Sequence, residues 1–177
     1  VMTPLFISVS IWIKWVSFNG SIIYRQERVG KAGKVFSLYK FRTMVADAEK
    51  ETGPVFTNSK QENRYIKGGY FLRKYSIDEL PQLYNVLKGE MSIVGPRPER
   101  PIFVEEFSKN IPYYNNRHHV KGGLTGWAQI NGRSELTKNV NHKTQYDLYY
   151  IKNWNLIWDI KIILKTIVVV IKGENAY

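Results

Sequence analysis

Residues 73–99, RKYSIDELPQLYNVLKGEMSIVGPRPE, decide how the rest of the chain is read. They set two adjacent carboxylates, Asp78 and Glu79, at the mouth of a short helix, with a stiff Pro96-Arg97-Pro98 loop downstream. Carboxylates flanked by arginines suit a metal and a phosphate, because Mg²⁺ takes hard oxygen ligands and shares them with substrate phosphates. An aspartate so placed can also act as a nucleophile on phosphorus. The same residues have a purely structural reading. Acids in the first turn of a helix complement its dipole, and Ser76-x-x-Glu79 matches a capping box. Pro81 is accommodated if the helix begins at Asp78, since proline is tolerated in a first turn. Leu80, Leu83, Tyr84 and Leu87 then share one face, and Gly89 closes the helix. From this window alone, capping and catalysis both stay open.

Downstream, Met91 to Val94 is a short apolar run. The prolines on either side of Arg97 fix φ and remove donors, so its planar fork is offered to phosphate from a rigid backbone. Pro101 to Asn116 reads as a surface helix broken at Pro112. His118 and His119 are neighbours and do not share a face, which makes them surface histidines rather than a metal pair. The stretch 121–133, KGGLTGWAQINGR, suits a loop and short strand that approach a ligand closely, with Gln129, Asn131 and Arg133 as candidate contacts. It matches neither the dinucleotide-binding nor the P-loop spacing.

Upstream, Ser21 to Met44 reads as a β-hairpin around Gly30-Lys31-Ala32-Gly33. In its second strand Val35, Tyr39 and Phe41 face one way, and Phe36, Leu38, Lys40 and Arg42 the other. Lys40 and Arg42 either contact phosphate or form a basic exposed edge. Val45 to Tyr70 is polar, with Gly53-Pro54 and Gly68-Gly69 as breakers and Asp47-Ala48-Glu49 as a short helical piece. It reads as a surface excursion suited to covering a site.

The two ends are apolar in different ways. Met2 to Phe18 carries one charge, Lys14, and is greasy on every side, as core and membrane helices are. From Met2 to Lys14 it reaches roughly 20 Å at ~1.5 Å per residue, short of the ~30 Å hydrocarbon layer, and Pro4 would kink it. It is the end of a cut spanning helix, a re-entrant helix, or a core helix. In Asn153 to Lys172, Leu156, Ile160, Ile163, Ile167 and Ile171 lie opposite Trp154, Trp158, Lys161, Lys165 and Lys172. Tryptophan with lysine fits the headgroup layer. This helix either lies in a membrane interface or faces a core with a solvated basic side.

At 177 residues the chain fits one domain. Without cysteine it has neither disulfides nor a thiolate metal site. The net charge of +11 calls for anionic partners: nucleic acid, phosphorylated substrates or an anionic membrane. Val1 stands inside an apolar run, which implies sequence before it, and no signal-peptide pattern is visible.

Taken in order, YRQERVGKAGKVFSLYKFRTM, FLRKYSIDELPQLYNVLKGEMSIVGPRPE, VKGGLTGWAQINGR and YYIKNWNLIWDIKIILKT resemble the bacterial sugar transferase family, the monotopic phosphoglycosyl transferases. The resemblance implies an α+β fold: a helix-rich single domain with a β-hairpin, amphipathic interfacial helices and an N-terminal re-entrant membrane helix. That helix would occupy residues 1–18, with its break at Thr3-Pro4. Residues 19–177 would form a catalytic domain on the cytoplasmic face of the inner membrane. Pro4, Trp12, Trp154, Trp158, Lys161 and Lys165 would meet the membrane.

Asp78 is implied as the covalent nucleophile and Glu79 as a Mg²⁺ ligand. Lys40, Arg42, Arg73, Arg97, Gln129, Asn131 and Arg133 are implied as substrate contacts in a site shaped by Pro96 and Pro98. The implied partners are a UDP-sugar, with glucose or galactose favoured, undecaprenyl phosphate, membrane phospholipids and a second copy in a homodimer, with no nucleic acid. The implied reaction begins exopolysaccharide or capsule assembly. Where the family often has proline this chain has Gly122, implying a looser loop. The terminal GENAY is similar to that of larger members, which carry an additional N-terminal membrane region. A rival class, a non-catalytic module binding RNA or an anionic membrane, accounts for the charge but not for carboxylates set among cations.

Overall fold

The computed structural model describes residues 3–17, 20–45, 48, 64–132 and 139–173. Arg133, most of the polar excursion after Val45 and the terminal residues 174–177 lie outside them.

Alternation of apolar and polar residues produces the expected hairpin. Strands β1 (Ile23–Val29) and β2 (Val35–Phe41) pair antiparallel, from Ile23 opposite Phe41 to Val29 opposite Val35. The tight turn Lys31–Gly33 puts Ala32 at φ 56° and Gly33 at φ 75°. Helix α1 (Thr3–Val16) lies against this hairpin, with Val9 and Ile13 packed on Phe41, Ile66 and Leu72. Leu72 belongs to the short helix α2 (Gly69–Lys74). Pro4 lies in the first described turn of α1, a position where proline is tolerated. One face of α1 is therefore core, while Ile7, Ile11 and Trp15 on the other are exposed.

A second core forms around a two-stranded parallel sheet, in which β3 (Met91–Val94) pairs with β4 (Gly122–Thr125), Met91 opposite Gly122 and Val94 opposite Thr125. The crossover between them carries α4 (Pro101–Asn110) and the 3₁₀ turn Tyr114–His119. Val94 packs with Ile130 of α5 (Trp127–Ile130), Tyr150 of α6 (Val140–Lys152) and Ile162 of α7 (Leu156–Lys172). The fold is mixed α+β, as expected.

Three local expectations are corrected. No helix starts at Asp78: Ile77–Glu79 is a 3₁₀ turn, Pro81 is the N-cap, and α3 spans Gln82–Leu87. Half of its expected apolar stripe is outside, with Tyr84 56% and Leu87 85% exposed, while Leu80 and Leu83 are half-buried and Gln82 and Asn85 are buried. The inward position at Asn85 has polar work to do, described below. In α7 the core side holds Ile162 with Trp158 packed against it. Of the expected aliphatic stripe, Ile163 packs against the same core, while Leu156, Ile160, Ile167 and Ile171 are exposed, so most of it is not a core-facing surface. Among the described residues, no helix is long and apolar enough to cross a membrane.

Candidate active site

Ser76 ends the run from α2 in the left-handed conformation, at φ 53°. Left-handed backbone is uncommon and costly away from glycine, and here it turns the chain so that Asp78 and Glu79 point inward, each only 5% exposed. The capping box does not form. Ser76 gives no side-chain cap, and its N–H already donates to the Arg73 carbonyl. Glu79 instead takes charged partners. Arg97 holds it with a two-pronged contact, Nη2 to Oε1 at 2.6 Å and Nη1 to Oε2 at 3.2 Å. Lys40 Nζ adds a third bond to Oε1 at 2.9 Å. Bidentate, charge-assisted bonds of this kind exceed what one backbone N–H offers, which is why the carboxylate abandons the cap.

Each cation is held in place by a residue that the sequence did not single out. Lys40 projects from β2, and β2 is locked to α3 by Asn85, which is fully buried. The Asn85 side chain accepts from the Tyr39 N–H at 3.1 Å and donates to the Ser37 carbonyl at 2.8 Å. That fixes where the strand sits and so where Lys40 points.

Arg97 is steadied through its backbone. Arg117 Nη2 donates to the Arg97 carbonyl at 2.8 Å, and Arg28 Nη1 donates to the Pro98 carbonyl at 3.0 Å. Arg117 is itself gripped by Asp147, with Nη2 and Nε donating to Oδ2 at 2.8 and 3.2 Å, and Nη1 donates to the Tyr114 hydroxyl at 3.1 Å. Glu99 closes the cluster with Arg28 and Lys143. Burial pushes the Glu99 carboxyl up, but Lys143, Arg28 and Arg117 outweigh it and hold the group at about 2. Pro96 and Pro98 are buried. Gly122 is not a loose point, because a Cβ there would stand 2.4 Å from Pro98 Cγ. The missing side chain is the seat of the Pro98 ring.

The other expected contacts have neighbours of their own. Arg73 sits against the Met44 sulfur at 3.7 Å and over the Tyr65 ring at 5.5 Å. Arg42, on the Lys40 face of β2, lies at Gly20, where a Cβ would be 3.0 Å from Nη1. Gln129 donates to the Leu124 carbonyl at 3.0 Å and Asn131 to the Trp127 carbonyl at 2.8 Å, so both brace their own segment. His118 is not an ordinary surface histidine. It is half-buried against the Tyr114 ring, and burial, Arg117 and His119 together push it down to about 4, leaving it neutral at pH 7.

Among the described residues no cluster of three or more carboxylate or histidine ligands stands ready for a metal. The site fits Mg²⁺ in the way that ion is most often held, by one or two carboxylates together with substrate phosphates. Asp78 and Glu79 supply two such carboxylates.

The class of the chain is a mixed α+β domain with buried carboxylates under cationic side chains. The profile described as bacterial sugar transferase matches residues 1–173, and the chain belongs to that family. It is 41% identical over 99% of its length to a UDP-N-acetylgalactosamine-undecaprenyl-phosphate N-acetylgalactosaminephosphotransferase of Aeromonas hydrophila, covering 41% of that protein. It is 42% identical over 98% of its length to a UDP-glucose:undecaprenyl-phosphate glucose-1-phosphate transferase of Xanthomonas campestris, covering 36% of it. An undecaprenyl-phosphate galactose phosphotransferase of Salmonella typhimurium is 37% identical over the whole chain, which covers 38% of it. The chain thus spans about two fifths of the length of these curated relatives.

Proposed function

We propose that this chain transfers a sugar 1-phosphate from a UDP-sugar to undecaprenyl phosphate, with Asp78 as the nucleophile. The observation that carries the reading is the grip of Arg97 and Lys40 on Glu79, beside a buried aspartate, in a family whose curated members transfer sugar phosphates between those two classes of molecule.

In the first step an Asp78 carboxylate oxygen bonds to the β-phosphorus of the donor. The bond from that phosphorus to the oxygen bridging the phosphates breaks, and UMP leaves with its electron pair. In the second step a phosphate oxygen of the lipid attacks the same phosphorus, and Asp78 departs as a free carboxylate. Arg97 and Lys40 turn from Glu79 toward the donor phosphates and stabilise the charge that develops on them. Mg²⁺ held by Glu79 and Asp78 would supply further neutralisation of those oxygens. Donor and acceptor react in turn, so the kinetics are ping-pong.

The donor sugar is a hexose or N-acetylhexosamine of the kinds named for the relatives, and the product opens assembly of a surface glycan. The same reading sets residues 1–18 in the membrane as a re-entrant helix and the rest on its cytoplasmic face. Contacts within the fold support a shared membrane side. Trp12 of α1 donates to the Lys67 carbonyl just before α2, α2 exposes Tyr70 and Phe71, and its Lys74 packs at Gly173, the cap of α7. The bare apolar faces of α1 and α7 are thereby joined through α2, which leads directly into the Asp78 turn.

The test is the intact mass of the protein after incubation with UDP-sugar and Mg²⁺ but no lipid. A sugar-phosphate increment that maps to Asp78 and is absent from Asp78→Asn is expected. Full turnover by folded Asp78→Asn would exclude the mechanism.

A further inference from the structure

Helix α7 carries a seam between its bare aliphatic face and its packed face. At ~100° per residue, Lys161, Lys172 and Lys165 fall within about 40° of one another. Ile157, Leu164 and Val168 adjoin them on the exposed side, and Trp158 adjoins them on the inner side. At the N-terminal half of this seam is an open cleft of about 480 Å³. Its floor is aromatic: Trp127 and Trp158 meet edge to face with centroids 5.2 Å apart, and Tyr149 stands against Trp158 at 5.5 Å.

Lys161 and Lys165 line the same cleft. Lys165 is aimed, because its Nζ donates to Asn131 Oδ1 at 3.1 Å and lies over the Trp127 ring at 5.8 Å. Among the described residues neither lysine has a carboxylate partner. The nearest acid in sequence, Asp159, is taken by the Tyr150 hydroxyl at 2.8 Å and Trp154 Nε1 at 3.0 Å. Two like charges one turn apart repel each other mildly, and among the described residues no carboxylate relieves them. An anion does.

The geometry points to a binding site for the headgroup of an anionic phospholipid, distinct from the Asp78 site. Its phosphate would lie between Lys161 and Lys165, its glycerol backbone on the indole rings, and its acyl chains along Ile157, Leu164 and Val168. A free phosphate would leave the apolar flank unused. A zwitterionic lipid would bring its own cation to the lysines. The seam is therefore complementary to a lipid with net negative charge. The site deepens the interfacial reading above and rests on it.

The experiment is native mass spectrometry of the full chain in neutral detergent, with phosphatidylglycerol or phosphatidylcholine added, alongside sedimentation with neutral vesicles. A single phosphatidylglycerol adduct per chain is expected, with none from phosphatidylcholine. Lys161→Gln with Lys165→Gln should weaken it roughly tenfold or more, whereas Lys31→Gln with Lys34→Gln, removing the same charge from the hairpin turn, should not. Trp127→Leu should weaken it without changing the charge. Equal adducts from both lipids, or equal losses in the two lysine pairs, overturn the site and leave generic attraction. Displacement by inorganic phosphate overturns the choice of a lipid. Displacement by undecaprenyl phosphate, with turnover lost in the Lys161/Lys165 variant, overturns the distinction from the acceptor site. Failure to bind even neutral vesicles tells against the interfacial reading itself, whereas vesicle binding without the adduct tells against this site alone.

Discussion

Arg97 and Arg117 each hold a carboxylate, and they touch one another through the Arg97 carbonyl, yet their surroundings differ. Arg117 and Asp147 have side chains only 2% exposed. All three guanidinium nitrogens of Arg117 are engaged by protein groups. Arg97 has 16% of its side chain in solvent, and its partner Glu79 has 6%. One pair is closed and holds the backbone of the Pro96–Pro98 loop still. The other is open at its cationic end, as the proposed exchange of Glu79 for an arriving phosphate requires. A site that must bind and release anions keeps its reactive cations reachable while burying the ions that aim them.

The largest expected effect is on the closed pair. Asp147→Ala leaves Arg117 charged, buried and without its carboxylate, which should cost ~3–5 kcal/mol of stability. Chemical denaturation measures it, and a loss below about 1 kcal/mol would show that Arg117 is not held as tightly as its contacts indicate.

Glu99, on the same side of the loop, sharpens the comparison through pH. Its folded value of about 2 lies below the ordinary 4.5, so the unfolded chain binds the proton first. The stabilisation is therefore complete above the unfolded value and is lost as pH falls from about 4.5 through about 2. Glu99→Gln should remove ~3 kcal/mol at neutral pH and flatten that part of the acid unfolding curve. An unchanged acid limb would show that Glu99 is already solvated.

The smallest effect falls on the open pair. Arg97→Lys keeps the charge and loses the two-pronged contact, so donor use should drop tenfold or more, ~1.4 kcal/mol, with little change in melting. Near-normal UDP-sugar kinetics would make Arg97 a part of the scaffold.

What could be read from the sequence follows from range. The hairpin was legible because alternation and turn residues are local signals, and the Asp78-Glu79 pair stood out as a candidate site in the same way, while the α+β class came through the family resemblance. The family resemblance rested on several such stretches in order. The partners of Glu79 were not assigned to it, because Lys40 and Arg97 come from separate segments and a capping box explained Glu79 locally. Asn85 was passed over because an amide in a helix ordinarily reads as surface. Helix α6 was missed for a similar reason. Its buried positions are Thr144, Asp147 and Tyr150, so no apolar period marks it. Arg117 and Asp147 give no hint of each other in one dimension, and only folding pairs them.

The Asn85 carboxamide has a consequence beyond aiming Lys40. By accepting from Tyr39 and donating to Ser37, it presents to β2 what a parallel neighbouring residue opposite Leu38 would present. A hairpin of two strands has an outer edge that can recruit a strand from another molecule, and here one side chain occupies the middle of it. Replacing Asn85 with leucine would fill the volume but uncover that edge. The expected cost is then colloidal as well as structural: assembly of chains by strand addition during expression or heating.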